Sequence, residues 1–411
     1  MKVLAIAFGL GLGGAQVSTI EFFELLQDWA SLRVVICESA GAEFVNYLRP
    51  LGIELRVRPC YWRGGLPHVD VSGLEDWIRW ADVVWITDIE FFVAPRVKRV
   101  RRVPMVAHLR SYPLLCPWWG LLYGMREVCY RGCSLYRIVR CKQMFNEELS
   151  RLGIMGSFRR SVYQVLDLVK GSLDYLSWQQ VVNRDLIDSI DGFIAVSNFV
   201  KRVHEALLPV EGKPIKVIYN PVTYPLKYIK DVKPREDLEE NLIVYASGSN
   251  LTKGPHLALQ ALKLLLNEGM DLKFIMFGCR DSWVEEYARK LGVERSVIFA
   301  GRESFARLYE TISTASVVVM PSVWPEPFGR IPVEANRIGV MAVVTNMGGL
   351  PEAVVDGETG LLAEVHPVDL AKKIKLSLEL GRSRKQIRET SLSAINPTES
   401  LHTLLRFFEN I

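Results

Sequence analysis

Leu242-Ile-Val-Tyr-Ala-Ser-Gly-Ser-Asn-Leu-Thr-Lys-Gly-Pro255 is an apolar run, a polar loop with two glycines, and a proline. Proline suits the first position of a helix, where its missing N–H would have no partner anyway. Beyond it, Leu257, Ala258, Ala261, Leu262 and Leu265 share one helical face. An apolar run that does not alternate reads as a strand buried on both sides. Strand, loop and helix in this order are the repeating unit of a parallel sheet covered on both faces.

The same unit recurs in both directions. Downstream, Lys273–Phe277, Ser296–Ala300, Val317–Met320 and Met341–Thr345 read as strands, with helices predicted over Pro255–Leu266 and Trp283–Leu291. Upstream, Val3–Phe8, Arg33–Cys37, Val83–Thr87, Met105–His108 and Phe193–Val196 are strands, with helices at Ala15–Leu26 and Leu74–Trp80. Arg159–Gln180 reads as a long amphipathic helix inserted among them. Between the two sets, Asn220–Asn241 holds three prolines and the charged run Lys230–Glu240, which suits a linker. A chain of 411 residues exceeds what one core usually supports. The reading is therefore an α/β protein of two Rossmann-like αβα domains, at 1–222 and 223–395, with a terminal helix over 396–411.

Composition narrows the class. The chain is 49% apolar and 23% charged, which is globular rather than disordered. Met1–Phe8 superficially resembles a secretory leader, but it runs into Gly9, Gly11, Gly13 and Gly14 without a cleavage site, so a first strand is the better reading. No apolar stretch reaches the roughly 18 residues a membrane span needs. The expected location is cytoplasmic. Net charge is only +4, yet Arg96–Lys142 holds eleven basic residues against one acid, Glu127, a local excess of ten. Such a patch attracts phosphate-bearing partners or an anionic membrane surface. Nucleic acid is not among the expected partners.

Four stretches carry chemistry. Gly9, Gly11 and Gly14 fit Gly-x-Gly-x-x-Gly after a strand, and Glu38 ends the next strand, which keeps a nicotinamide oxidoreductase as a rival reading. A plain tight turn explains the glycines as well. Lys253 stands just before a helix N-terminus, where unpaired N–H groups already favour an anion, and an ammonium there suits a diphosphate. Alone it would be a solvated lysine. Pro321-Ser-Val-Trp-Pro-Glu-Pro-Phe-Gly-Arg-Ile-Pro-Val-Glu334 sets Glu326 and Glu334 with seven residues between them. Glu326 falls in a loop at the carboxyl end of a strand, where open α/β sheets bind ligands. Glu334 is read into the first turn of a helix opened by Pro332. Two such acids accept hydrogen bonds from sugar hydroxyls while the amides of Phe328 and Gly329 donate; taken singly, each could be a helix-dipole or loop acid.

Glycine loop, Lys-Gly before a helix, and Glu-x₇-Glu in this order resemble the retaining GT-B glycosyltransferases of family 4. Asn198 after Ala195-Val196-Ser197, Val217–Val222, Gly348-Gly349 with Glu352, and Asp356–Gly360 continue the likeness, which is strongest over Leu242–Leu362. The resemblance implies two domains facing across a cleft, with donor sites chiefly in the second and the acceptor chiefly in the first. It implies that Glu326 contacts the donor sugar, Glu334 the ribose hydroxyls and Lys253 the diphosphate. Gly13 and Gly14 would allow close approach, His108 would face the reacting centre, and the terminal helix would pack on the first domain. Many relatives carry an arginine shortly before the lysine; Ser247-Gly248-Ser249 stands there here. No Asp-x-Asp occurs, so no metal or cofactor is expected, only a nucleotide-diphosphate sugar as substrate and a sugar or lipid-linked acceptor. A non-catalytic nucleotide-sugar-binding protein on the same fold is the remaining rival.

The basic run is followed by the aromatic stretch Arg110–Met125, with Trp118 and Trp119 adjacent. Basic plus aromatic residues suit a membrane interface or a lipid-linked phosphate; an internally packed segment with solvated arginines is the other reading. Cys116, Cys129, Cys133 and Cys141 stand at intervals of thirteen, four and eight residues. Zinc, a disulfide or free thiols all remain open for them, while seven cysteines in total speak against a simple secreted disulfide framework.

Overall fold

A computed structural model describes residues 1–7, 13–37, 42–63, 66–125, 127–152, 172–231 and 241–411. Gly9, Gly11, Glu38, most of the predicted helix over Arg159–Gln180 and nearly all of the charged run Lys230–Glu240 lie outside these residues. By contact, the chain divides into two compact units, Met1–Pro221 with Thr398–Ile411, and Val222–Pro397.

The strands are β1 (Lys2–Ala7), β2 (Ser31–Cys37), β3 (Glu54–Arg58), β4 (Cys60–Arg63), β5 (Leu66–Val69), β6 (Val83–Ile86), β7 (Met105–Leu109), β8 (Leu122–Tyr123), β9 (Glu127–Val128), β10 (Gly192–Ala195) and β11 (Ile215–Val217) in the first unit. The second unit has β12 (Leu242–Tyr245), β13 (Lys273–Phe277), β14 (Val297–Ala300), β15 (Val317–Met320), β16 (Met341–Thr345) and β17 (Gly360–Ala363). Among the described residues the first unit forms a parallel sheet in the order β11-β10-β7-β6-β1-β2-β3. The second forms β14-β13-β12-β15-β16-β17. Both are doubly wound. In each the strand order reverses beside the first strand, between β1 and β6 and between β12 and β15, which is where such sheets bind ligands.

Burial explains why the central strands form. Val3–Ala7, Val83–Ile86, Met105–Leu109, Leu242–Tyr245, Val317–Val319 and Ala342–Val344 are all buried, so each strand is covered by helices on both faces. Two antiparallel hairpins, β4-β5 and β8-β9, lie outside the main sheets. Cys37, at the end of β2, is disulfide-linked to Cys60 of β4, with Cα atoms 5.6 Å apart. The terminal helix Pro397–Glu409 belongs largely to the first unit, where Phe408 meets the Trp85 ring edge-on at 5.7 Å. Gly192 packs closely there: a Cβ on it would lie 2.4 Å from Ile411 Cδ1, so that side chain would have to shift. No described helix is long and apolar enough to cross a membrane.

Candidate functional site

In the second unit the loop after β12 and the loop after β15 meet at the reversal point. The amides of Val323 and Trp324 both donate to the Thr252 carbonyl, at 2.9 and 3.3 Å. Gly254 makes the approach possible: its φ is +75°, and a Cβ there would stand 1.8 Å from the Pro321 carbonyl oxygen. Lys253 closes a short 3₁₀ turn over Leu251–Lys253, directly before the helix Pro255–Asn267. Its ammonium reaches Glu326 Oε1 at 2.7 Å and lies 4.7 Å from the centre of the Trp324 ring.

Glu326 is 4% exposed, and the Ser322 hydroxyl also donates to its Oε1, at 2.6 Å. Ser322 is tied in turn by the Thr345 hydroxyl, which donates to its carbonyl at 2.6 Å. The Glu326 carbonyl accepts from the Gly349 amide at 2.6 Å, and a Cβ on Gly348 would come within 2.5 Å of that carbonyl oxygen. The buried carboxylate thus holds two donors at Oε1, the Lys253 ammonium and the Ser322 hydroxyl, while the residue's backbone is fixed by Gly349. Burying a carboxylate without such partners would be costly.

The helix carrying Glu334 begins earlier than the sequence reading placed it. It spans Arg330–Arg337 with Gly329 as its cap at φ +92°. Pro332 therefore occupies the third helical position and Glu334 the second turn rather than the first. Proline is tolerated there because the first-turn N–H groups have no intrahelical acceptor. Glu334 is 4% exposed, and Arg330 one turn earlier donates to its Oε1 from Nε and NH2, both at 3.0 Å. Phe328 is buried beside this turn. The second unit thus brings Lys253 and Glu326 into contact and places Phe328, Gly329 and Glu334 on the adjoining turn.

The first unit has its own polar cluster at the corresponding edge. Gly13, extended, caps the helix Gly14–Leu26, and both glycines are exposed. Arg110, one residue past β7, donates from NH1 to the Ala15 carbonyl at 2.9 Å and to Asn220 Oδ1 at 3.4 Å. Its NH2 lies 3.3 Å from His108 Nδ1. Asp88 follows β6 and accepts from the Gln16 amide at 3.4 Å, while its own N–H donates to Glu90 Oε2 at 3.2 Å. Burial pushes the Asp88 carboxyl up to about 6, against the opposing pull of Arg110. Burial and then Asp88 hold the Glu90 carboxyl well above the ordinary carboxylate range.

His108 itself has no exposed surface. Its ring sits 5.9 Å from both Phe22 and Trp85, and Nε2 is buried without a protein partner. Burial first, then the Arg110 charge, hold its pKa well below 6.5, so the ring is neutral. The side chain standing at the sheet edge is Arg110, not His108. Sequence reasoning missed Gln16, Asp88, Glu90 and the contacts of Arg110, and it took in Asn220 only as part of the Val217–Val222 stretch. Asp88-x-Glu90 at a strand end gave a faint local signal.

Trp118 and Trp119 are half-buried. Lys142 Nζ lies 5.2 Å from the Trp118 ring centre, and Trp119 stacks on Trp62 at 6.2 Å. The exposed aromatic side chains of this region are Tyr61, Trp62, Tyr130 and Tyr136.

Residues 228–393 match the family model for glycosyl transferases group 1. Spore coat protein SA of Bacillus subtilis is 24% identical over 229 residues, covering 50% of this chain and 60% of that protein. D-inositol 3-phosphate glycosyltransferase of Corynebacterium urealyticum is 33% identical over 136 residues, 31% of this chain and 32% of that enzyme. The chain thus spans less than two thirds of these relatives' length. Across the whole chain, the crystal structure of Anabaena HepE in complex with UDP-glucose aligns with a TM-score of 0.67 at 18% identity, covering 100% of both chains. These likenesses speak against the nicotinamide oxidoreductase. The chain has a two-domain, Rossmann-like α/β fold, and its second unit matches the glycosyl transferases group 1.

Proposed function

We propose that the protein is a retaining family 4 glycosyltransferase of GT-B type, moving a sugar from a nucleotide-diphosphate sugar to a sugar or lipid-linked acceptor. The observation that carries the reading is the Lys253–Glu326 pair at the reversal point of the second sheet. A diphosphate entering beside Lys253 takes over its ammonium, and Glu326 is left to accept hydrogen bonds from the donor sugar. Glu334 accepts from the ribose hydroxyls, with the Phe328 and Gly329 amides as donors nearby. As the glycosidic bond to the diphosphate breaks, negative charge grows on the leaving oxygen. A fixed ammonium and aligned amides stabilise that charge without reorganising.

In the first unit, the exposed amide end at Gly13 and Gly14 and the Asp88–Arg110 cluster supply polar contacts on the acceptor side. His108 acts as a positioning residue, holding Arg110 through Nδ1. No metal or cofactor is needed for this chemistry. The basic Arg96–Lys142 segment places the protein at the inner face of an anionic membrane. Its five free thiols suit a reducing compartment better than the Cys37–Cys60 link does.

The test is a panel of nucleotide sugars, led by UDP-glucose, scored for hydrolysis and for transfer to soluble and lipid-linked acceptors. One donor should be turned over, and Glu326→Ala should lower kcat about 100-fold or more at saturating donor while the fold is retained. Wild-type turnover by Glu326→Ala, or binding of every donor without turnover, contradicts the catalytic reading.

A further inference from the structure

The helix Arg330–Arg337 carries Glu334 in its middle and ends on a buried arginine. Arg337 has no exposed surface. Its Nε donates to the Val222 carbonyl at 3.4 Å, NH1 to the Ser391 hydroxyl at 2.9 Å, and NH2 to the Ile395 carbonyl. The chain enters the second unit at Val222, and Ile395 stands just before Pro397, where it leaves. One side chain thus holds both the entry and the exit of the unit, the first 115 positions before it and the second 58 positions after it.

A guanidinium is costly to bury unless its donors find acceptors, and an apolar side chain of like volume would serve stability as well. What Arg337 adds is a planar fork that fixes two separate backbone segments at once. The far side of one contact is strained. Val222 is buried with a φ of +46°, and it is the one β-branched residue among the described non-glycine residues of positive φ. A β-branched residue in that region is an outlier. Such conformations persist where the surroundings over-determine them, and they gather at switch regions. Two arrangements are therefore open to Val222: the left-handed one, held by Arg337, and the negative-φ one that its side chain prefers. An element with two arrangements is what a physical coupling between sites requires.

We propose that Arg337 is a positioning residue of the donor site, coupling ligand at Glu334 to the entry and exit segments of the second unit, with Val222 as the residue that switches. The inference rests on the reading of Glu334 as a nucleotide ligand. Ribose hydroxyls donating to Glu334 compete with Arg330, which donates to the same oxygen from Nε and NH2. Glu334 and Arg337 stand less than one turn apart on one helix, so a helix that adjusts to ligand moves both side chains together. Bound nucleotide favours the arrangement in which Arg337 keeps Val222 in the left-handed region. Without nucleotide, Val222 relaxes more often and the Arg337 bonds open with it. By linkage the effect runs both ways: nucleotide protects the two segments, and the intact latch tightens nucleotide.

The test is amide hydrogen exchange on the full chain, with and without saturating UDP, GDP or ADP, paired with calorimetry on the same nucleotides. Exchange over residues 222–228 and 391–396 should slow when nucleotide binds, while β10 in the first unit serves as the unchanged reference. Arg337→Met should weaken the nucleotide about fivefold or more, the lower end of couplings between sites. It should also remove the nucleotide-dependent protection of both segments even at saturation. A purely structural arginine would instead raise exchange with and without nucleotide and leave the difference intact, which overturns the coupling. If Arg337→Met fails to fold, Ser391→Ala removes a single hydroxyl acceptor and should shrink the protection over 391–396 in a folded chain. Unchanged protection in that variant overturns the proposal too. Wild type that binds a nucleotide without slowing exchange at either segment overturns the latch and leaves the donor-site reading standing. Wild type that binds none of the three nucleotides removes both.

Discussion

Lys253 and Glu326 answer to each other before any ligand arrives. Lys253 is 27% exposed at its side chain and Glu326 5%, so the lysine is the partner that a diphosphate can recruit. Lys253→Ala should therefore weaken a nucleoside diphosphate about 10- to 100-fold, the worth of one charge-assisted hydrogen bond, with nucleoside binding nearly unchanged. Calorimetry with both ligands decides it, and equal losses would mean that Lys253 does not meet the phosphates. His204 offers a different residue-level test. It is buried, its Nδ1–H donates to the Val200 carbonyl at 2.8 Å, and burial pushes its pKa down to about 4 from 6.5. The unfolded chain takes up this proton first as pH falls, so the stability His204 contributes is complete above 6.5 and is lost on the way down to 4. The full loss is about 3 kcal/mol. Asp88 works in the opposite sense, since its raised pKa favours the folded state at low pH and is lost as pH rises from about 4 to about 6. The difference between wild type and His204→Leu in denaturant titrations from pH 7 to pH 4 isolates the histidine. Parallel pH profiles for the two proteins would refute the linkage.

At the scale of elements, the helix starts decide what the loops can present. Gly254 caps Pro255–Asn267 in the left-handed region while touching the Pro321 backbone, so it both ends the Lys253 turn and admits the Pro321–Phe328 loop. Gly254→Ala should cost at least about 1–2 kcal/mol for the backbone conformation alone. The contact with backbone, which cannot rotate away, adds to that. Thermal unfolding of the second unit should drop by several degrees, and nucleotide binding should fall with it. A variant as stable as wild type would show that the two loops are not pressed together there. Predicted and observed strands differ at the sheet margins. β3, β11 and β17 were not foreseen, and all three are edge strands. β3 reads Glu-Leu-Arg-Val-Arg, and only part of its surface is covered. An edge strand needs no continuous apolar run, so its sequence carries a weak signal.

For the whole molecule, the question is what the ten-charge excess over Arg96–Lys142 does. The aromatic residues that the first unit exposes near it are Tyr61, Trp62, Tyr130 and Tyr136 rather than Trp118 and Trp119, which are engaged by Lys142 and Trp62. If this face meets an anionic bilayer, each basic residue near the surface contributes about 1 kcal/mol. Binding to liposomes should then rise with anionic lipid and fade with salt, since the attraction is screened over about 10 Å at 0.1 M. Tyr130→Ala with Tyr136→Ala should weaken attachment more than Trp118→Ala with Trp119→Ala. Indifference to anionic liposomes at low salt would leave the patch as a solvated face.

The sequence by itself determined the double αβα architecture, because strands buried on both faces must be continuously apolar and helices between them must carry one apolar face. It also determined the Glu326–Glu334 block and Lys253 as candidates, since each is legible within a few residues of a strand end or a helix start. The tertiary structure alone decided which of these meet. Lys253 and Glu326 are 73 positions apart, and only the adjacency of β12 and β15 brings them to 2.7 Å. It likewise placed His108 inside the sheet within β7 and Arg110 two residues on, just past the strand's end. Side-chain direction there is set by what packs above and below, and Phe22 and Trp85 come from other parts of the chain. Asp88-x-Glu90 at a strand end and Asn220 within Val217–Val222 gave only a faint local pattern. Their chemistry comes from shared burial, and burial is a property of the folded chain.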